Sequence, residues 1–210
     1  LLRVQQVLTP SAGAAVLDRL WAQAAPERGS LDDVVAEAKR LVVDDVQAAE
    51  VDRLMRLVRR ILPDLDQGSA RRAVAALLVA MDRYRAYVVP GRAVDPEQAA
   101  VIEAAAGRAR AHLAPTDEPA LGVIVDLVLD RDLRDAALDT GPLADDFRVR
   151  FQQTCGPVMA KGIEDTAYYR WFRLAGANEV GGHPDHLSIS AEEVHTWCGR
   201  LGAPWPTAMT

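Results

Sequence analysis

Apolar residues recur every three to four positions along most of this chain, and that period predicts helices. The longest such run is Leu31 to Leu62. Val34, Ala38, Leu41, Val42, Val46, Ala49, Leu54, Leu57, Val58 and Ile61 share the helical spacing, with charges between them. Ser30 suits the N-cap, and Asp32 and Asp33 face the positive end of the helix dipole. So long a helix predicts a bend, placed near Asp44-Asp45, and Pro63 stops it. An earlier helix opens at Pro10-Ser11 and runs to about Ala25, where Pro26 and Gly29 end it.

Further on, Ser69 predicts a cap for a helix reaching about Tyr84, followed by an extended return through Pro90-Gly91. Tyr84 and Tyr87 on that return also suit the aromatic edge of a cleft. Asp95-Pro96-Glu97-Gln98 combines an acid N-cap, Pro at the first helical position and Gln at the third; its helix reaches about Leu113. Pro115 and Pro119 bracket a linker before a helix from about Ala120 to Asp130, continued brokenly to Leu138. Leu143 to Thr154 reads as a helix that Gly156-Pro157 ends, and Lys161 to Leu174 as the next. A Gly/Pro loop over Asn178 to Leu187 leads to a capping box, Ser190 to Glu193, and a last short helix through Cys198. Only residues 1–9 look β-flavoured, as a strand tail or an entering loop.

These elements give a mainly α fold: an irregular helical bundle with a smaller C-terminal helical subdomain. Asp139-Thr140-Gly141-Pro142 is the strongest linker signal, so the expected division is an entry at 1–9, a bundle over 10–140 and a subdomain over 141–210. No internal repeat is apparent. The chain opens on Leu-Leu and stops after Pro204-Trp205-Pro206, which reads as a segment of a longer polypeptide.

Composition narrows the function. A net charge of −6 argues against a nucleic-acid surface. No apolar run reaches the roughly 18 residues of a membrane span. Cys155 and Cys198 make no disulfide framework and read as free thiols in a reducing cytoplasm. His183, His186, His195 and Cys198 raise the question of zinc, but their spacing is not a standard one; they read as loop groups and helix-end cations, with no metal expected. No cofactor fingerprint is present.

The chemistry concentrates between Phe147 and Gly182. Six of the eleven aromatic residues lie between Phe147 and Phe172, and one of the two lysines, Lys161, stands beside Glu164 and Asp165. On a helix, Lys161, Asp165, Tyr169 and Phe172 would share one face, and Glu164, Tyr168 and Trp171 the next. Lysine four residues before an acid is the weaker orientation for helix stability. Carboxylates that accept from sugar hydroxyls, a lysine that donates and aromatic faces for a pyranose fit a carbohydrate. The plainer alternative has the acids complementing a helix dipole, the aromatics in a core and Lys161 coating the surface.

The stretch GPVMAKGIEDTAYYR (156–170) with NEVGG (178–182) resembles the signature of the maltooligosyl trehalose synthases, in the α-amylase clan. AKR (38–40), RYRAYV (83–88) and RFQQ (150–153) fall in that family's order. The resemblance implies a parent (β/α)8 barrel in which this chain is a helical insertion. It implies intramolecular transglucosylation: a reducing-end α-1,4 linkage of a maltooligosaccharide becomes the α,α-1,1 linkage of trehalose. The clan's nucleophilic Asp, acid/base Glu and assisting Asp would all lie outside residues 1–210. By the same resemblance Lys161, Glu164, Asp165, Tyr168, Tyr169, Arg170, Asn178 and Glu179 are the expected substrate-binding residues. The expected partners are the oligosaccharide and the rest of the barrel. Departures fall at Cys155, Trp171-Phe172 and His183, where the family pattern has Thr, Tyr-Asn and Asp. A reading of another class is an autonomous, non-enzymatic helical interaction module, with residues 143–182 packing against a protein partner.

Overall fold

The computed structural model describes residues 2–131 and 141–202. Every regular element among them is helical. In chain order they are α1 (Leu2–Leu8), α2 (Ser11–Ala24), α3 (Leu31–Leu41), a π-helical stretch (Val42–Val46), α4 (Ala48–Ile61), α5 (Gln67–Ala80), α6 (Pro96–Arg110), α7 (Glu118–Val128), α8 (Gly141–Met159), a second π-helical stretch (Ala160–Ala167), α9 (Tyr168–Arg170) and α10 (Ala191–Gly202). Short 3-10 turns stand at Pro115–Asp117 and Ala175–Ala177.

Most starts and stops obey local chemistry. The Ser30 hydroxyl accepts from the Asp33 amide at 3.1 Å and donates to its carboxylate at 2.6 Å, a reciprocal cap for α3. Ser190 and Glu193 repeat the device before α10. The bend expected near Asp44-Asp45 is the first π-helical stretch.

Several expectations change. Residues 2–8 are helical, not β: Leu, Arg and Gln favour helix enough to outweigh two valines. Asp66 rather than Ser69 caps α5, accepting from the Ser69 amide at 2.7 Å. That helix ends at Ala80, four residues before Tyr84. Gln98 does not close a capping box; its side-chain oxygen takes the Tyr87 amide at 3.0 Å. Pro115 and Pro119 stand at the starts of helical turns, where a missing N–H costs nothing. Gly156-Pro157 does not interrupt α8. Gln153 and Pro157 both lie on its exposed face, where the carbonyl that Pro157 cannot bond can meet water. The helix expected over Lys161–Leu174 is π-wound to Ala167 and ends at Arg170. The continuation to Leu138 falls outside the described residues.

The chain forms two compact units, residues 35–166 and residues 1–34 with 167–210. The first is a bundle. Its apolar core joins Leu54 and Val58 of α4, Leu77 and Leu78 of α5, Ile102 of α6, Leu121 and Ile124 of α7, and Phe147 and Phe151 of α8. The two phenylalanine rings stack at 6.2 Å. Thus α8, on the far side of the expected Asp139–Pro142 linker, packs into the same core as α4. Two of the bundle's buried charged groups, Arg148 and Asp117, are firmly bound. Arg148 donates to the Leu127 carbonyl at 2.9 Å and pairs with Asp130 and Asp145. Arg72 grips Asp117 with two bonds of 2.7 and 2.8 Å, which hold the Asp117 carboxyl down at about 2.

The second unit is tied by polar bonds. Gln6 of α1 donates to the His186 carbonyl at 2.6 Å, and the Ile189 amide donates to the Gln6 carbonyl at 3.3 Å. Trp21 of α2 packs edge-on against Trp171 at 5.7 Å.

Candidate functional site

In the bundle unit the second π-helical stretch carries Lys161, Glu164 and Asp165. The Lys161 ammonium meets the Asp165 carboxylate at 2.6 Å, with both side chains more than half exposed. That hydrogen bond raises the lysine pKa. An exposed pair of this kind adds little stability, on the order of 0–1 kcal/mol. Glu164 instead accepts from the Tyr84 hydroxyl, which arrives from the extended segment 81–91.

That segment has no helix of its own, so its backbone groups need partners. Gln152, buried on α8, bonds both sides of Val88: the Val88 amide donates to its side-chain oxygen at 3.1 Å, and its side-chain nitrogen donates to the Val88 carbonyl at 2.8 Å. Gln98 holds Tyr87. Lys39 of α3 holds the other end, donating to the carbonyls of Val79, at 3.3 Å, and Met81. Pinned from within, the segment leaves Tyr84 and Tyr87 exposed, with the Arg85 guanidinium 5.6 Å from the Tyr87 ring centre.

Lys39 is 4% exposed, and burial pushes its amine down to about 8. Asp82 offsets part of that effect, while Arg108 adds to it. Its neighbour Cys155 is wholly buried, and its thiol is pushed up to about 12. Gly162 lies directly on Lys39. A Cβ there would stand 2.6 Å from the lysine Cγ and 3.0 Å from its Cα. The glycine after Lys161 is therefore a requirement of packing.

In the other unit, Tyr168 donates to the Gly182 carbonyl at 3.0 Å. Tyr169 is 77% exposed. Asn178 donates to the carbonyls of Tyr168 and Trp171, at 3.1 and 2.7 Å, and so pins the loop where α9 stops. Glu179 is exposed, and its carbonyl accepts from the Gly182 amide at 2.6 Å. Gly181 has φ +73°, and a Cβ on Gly182 would stand 2.3 Å from the Ala177 carbonyl oxygen, so both glycines are dictated by the turn. Trp171 is buried and Phe172 packs against Trp21 at 5.5 Å, so these two serve packing. Arg170 is half-buried on α9.

The expected eight residues therefore divide. Lys161, Glu164 and Asp165 lie in the bundle unit; Tyr168, Tyr169, Arg170, Asn178 and Glu179 lie in the unit formed by the chain ends. The rings of His183 and His186 approach to 4.7 Å, but no three His, Cys, Asp or Glu side chains gather around a metal-sized space among the described residues. No described helix is long and apolar enough to cross a membrane. Sequence reasoning missed Lys39 and Gly162. The available signal was scarcity, since Lys39 is the only lysine besides Lys161.

An ammonium, two carboxylates and exposed phenol rings make a surface that donates to and accepts from a polyhydroxylated ligand. No family profile matches the chain. Two proteins of Mycobacterium tuberculosis strains, each carrying the name maltooligosyl trehalose synthase, are 31% identical to it over 204 residues, 97% of this chain and 24% of theirs. The solved maltooligosyltrehalose synthase of Arthrobacter ramosus superposes with a TM-score of 0.76 at 29% identity, over 98% of this chain and 24% of that one. A solved glycosyltrehalose synthase, 21% identical with a TM-score of 0.62, shares the fold. The chain spans about a quarter of the length of the proteins it matches. By sequence and by fold, it corresponds to one helical region of the maltooligosyl trehalose synthases.

Proposed function

We propose that this chain is the helical part of an intramolecular transglucosylase that turns the reducing-end α-1,4 linkage of a maltooligosaccharide into an α,α-1,1 linkage. The observation that carries the reading is the near-complete match of this chain to named trehalose synthases. In this reading the catalytic carboxylates belong to a (β/α)8 barrel elsewhere in the polypeptide, and residues 1–210 alone are inactive. The enzyme works in the cytoplasm without a cofactor.

The reaction needs the released glucose to stay bound, turn over and attack through its anomeric hydroxyl while water is kept from the glycosyl-enzyme intermediate. The chain's contribution is to the acceptor subsites. Lys161 donates to a sugar hydroxyl and Asp165 accepts from one. Glu164, oriented by Tyr84, offers a second acceptor, and Tyr168 or Tyr169 supplies a stacking face. Arg170, Asn178 and Glu179 complete the set, Asn178 by fixing the loop.

The test is Lys161→Ala in the full polypeptide. Loss of a charge-assisted hydrogen bond, about 1.5–3 kcal/mol, is expected to shift products toward free glucose by roughly tenfold or more. An unchanged ratio of hydrolysis to transfer would remove Lys161 from the acceptor site.

A further inference from the structure

We infer that Lys39 is a positioning residue for the surface that carries Tyr84 and Glu164, setting their contact without touching the ligand itself. The inference rests on the functional reading above only where it concerns product partition; the geometry stands independently.

The buried ammonium is held mostly by main-chain oxygen. It donates to the carbonyls of Val79 and Met81, where α5 ends and the chain turns into the 81–91 segment. The same residue's stem and backbone form the floor on which Gly162 sits, in the π-helical stretch that carries Glu164. The Tyr84–Glu164 hydrogen bond closes the circuit between these two pieces. One side chain thus sets both sides of that contact. A plain helix terminator would not need the second half of this arrangement.

The charge is costly to bury, which sets Lys39 apart from a filler. The groups around it are Asp82, which pairs with Arg108 at 3.2 Å, and Cys155. None of them makes a hydrogen bond to the ammonium that could replace the two carbonyls. A methionine keeps the stem under Gly162 and removes the donor, so any loosening it causes in 160–167 must pass through the Tyr84–Glu164 contact.

The experiment is hydrogen exchange on the full polypeptide, comparing wild type with Lys39→Met and with Gly162→Ala, alongside thermal melts and product partition from maltopentaose. Both variants are expected to remain folded. Both should raise exchange at least several-fold in 81–91 and 160–167 together. Tyr84→Phe, which leaves Lys39 in place, should loosen these segments less. Exchange rising in 81–91 alone for Lys39→Met would make Lys39 a local helix terminator and overturn the inference. So would no change in either segment. If both segments loosen while partition is unchanged, Lys39 still sets the Tyr84–Glu164 contact, and the fault lies in assigning that surface to the acceptor site.

Discussion

The bundle unit and the unit built from the chain ends are held by different means. In the bundle, an uninterrupted apolar core runs through α4, α5, α6, α7 and α8, and Lys39, Gln152 and Arg148 enter it with their donors bound. In the other unit, α2 buries no residue fully and leaves Val16 and Leu20 exposed. That unit relies on side-chain bonds to carbonyls: Gln6 to His186, Asn178 to Tyr168 and Trp171, and Arg173 to Pro184 at 2.6 Å. Packing makes the first unit rigid by volume. Directional bonds make the second specific in shape, with less area removed from water.

The comparison breaks most visibly under core truncation. Phe147→Ala should destabilise the bundle by about 3–5 kcal/mol in chemical denaturation, because the stacked ring leaves a cavity beside Phe151. Leu20→Ser on α2 should stay within about 0.5 kcal/mol. Equal costs would erase the distinction between the units.

Next in size is the pH dependence of Lys39. Its folded pKa, about 8, lies below the unfolded value of 10.5. Between these values the unfolded chain binds the extra proton, so stability rises with pH across that window and the burial cost is fully present below it. The span corresponds to about 3 kcal/mol as an order of magnitude. Denaturation of wild type minus Lys39→Met at pH 7.5 and pH 10 isolates this contribution, and a flat difference would contradict the assigned environment. A smaller effect belongs to the other lysine. Lys161→Ala should cost less than about 1 kcal/mol, because its ion pair is exposed.

These contrasts also explain what could be read from the chain. The bundle helices follow apolar period and end on cap residues, both local signals. The Ser30 cap, the Ser190 capping box and the bend near Asp44-Asp45 were visible for that reason. The end of α5 was not, because a lysine forty residues away in sequence takes the Val79 carbonyl. The stop at Arg170 was equally hidden: it depends on Asn178 reaching back to Trp171. Gly156-Pro157 misled because exposure on both sides of a missing bond removes its penalty, and exposure is a tertiary property. At the candidate site the shared face of Lys161 and Asp165 was legible from spacing, but their exposed ion pair was not, since lysine before the acid is the weaker order. The anchoring of Tyr84 beside Glu164 was not, since it joins residues eighty positions apart.

The most direct test of the account is to incubate the full polypeptide with maltopentaose and follow reducing ends and free glucose together. Intramolecular transglucosylation predicts that reducing ends disappear while little glucose accumulates. A gain of reducing ends with abundant glucose would instead mark a hydrolase and contradict the water-excluding role proposed for this helical region.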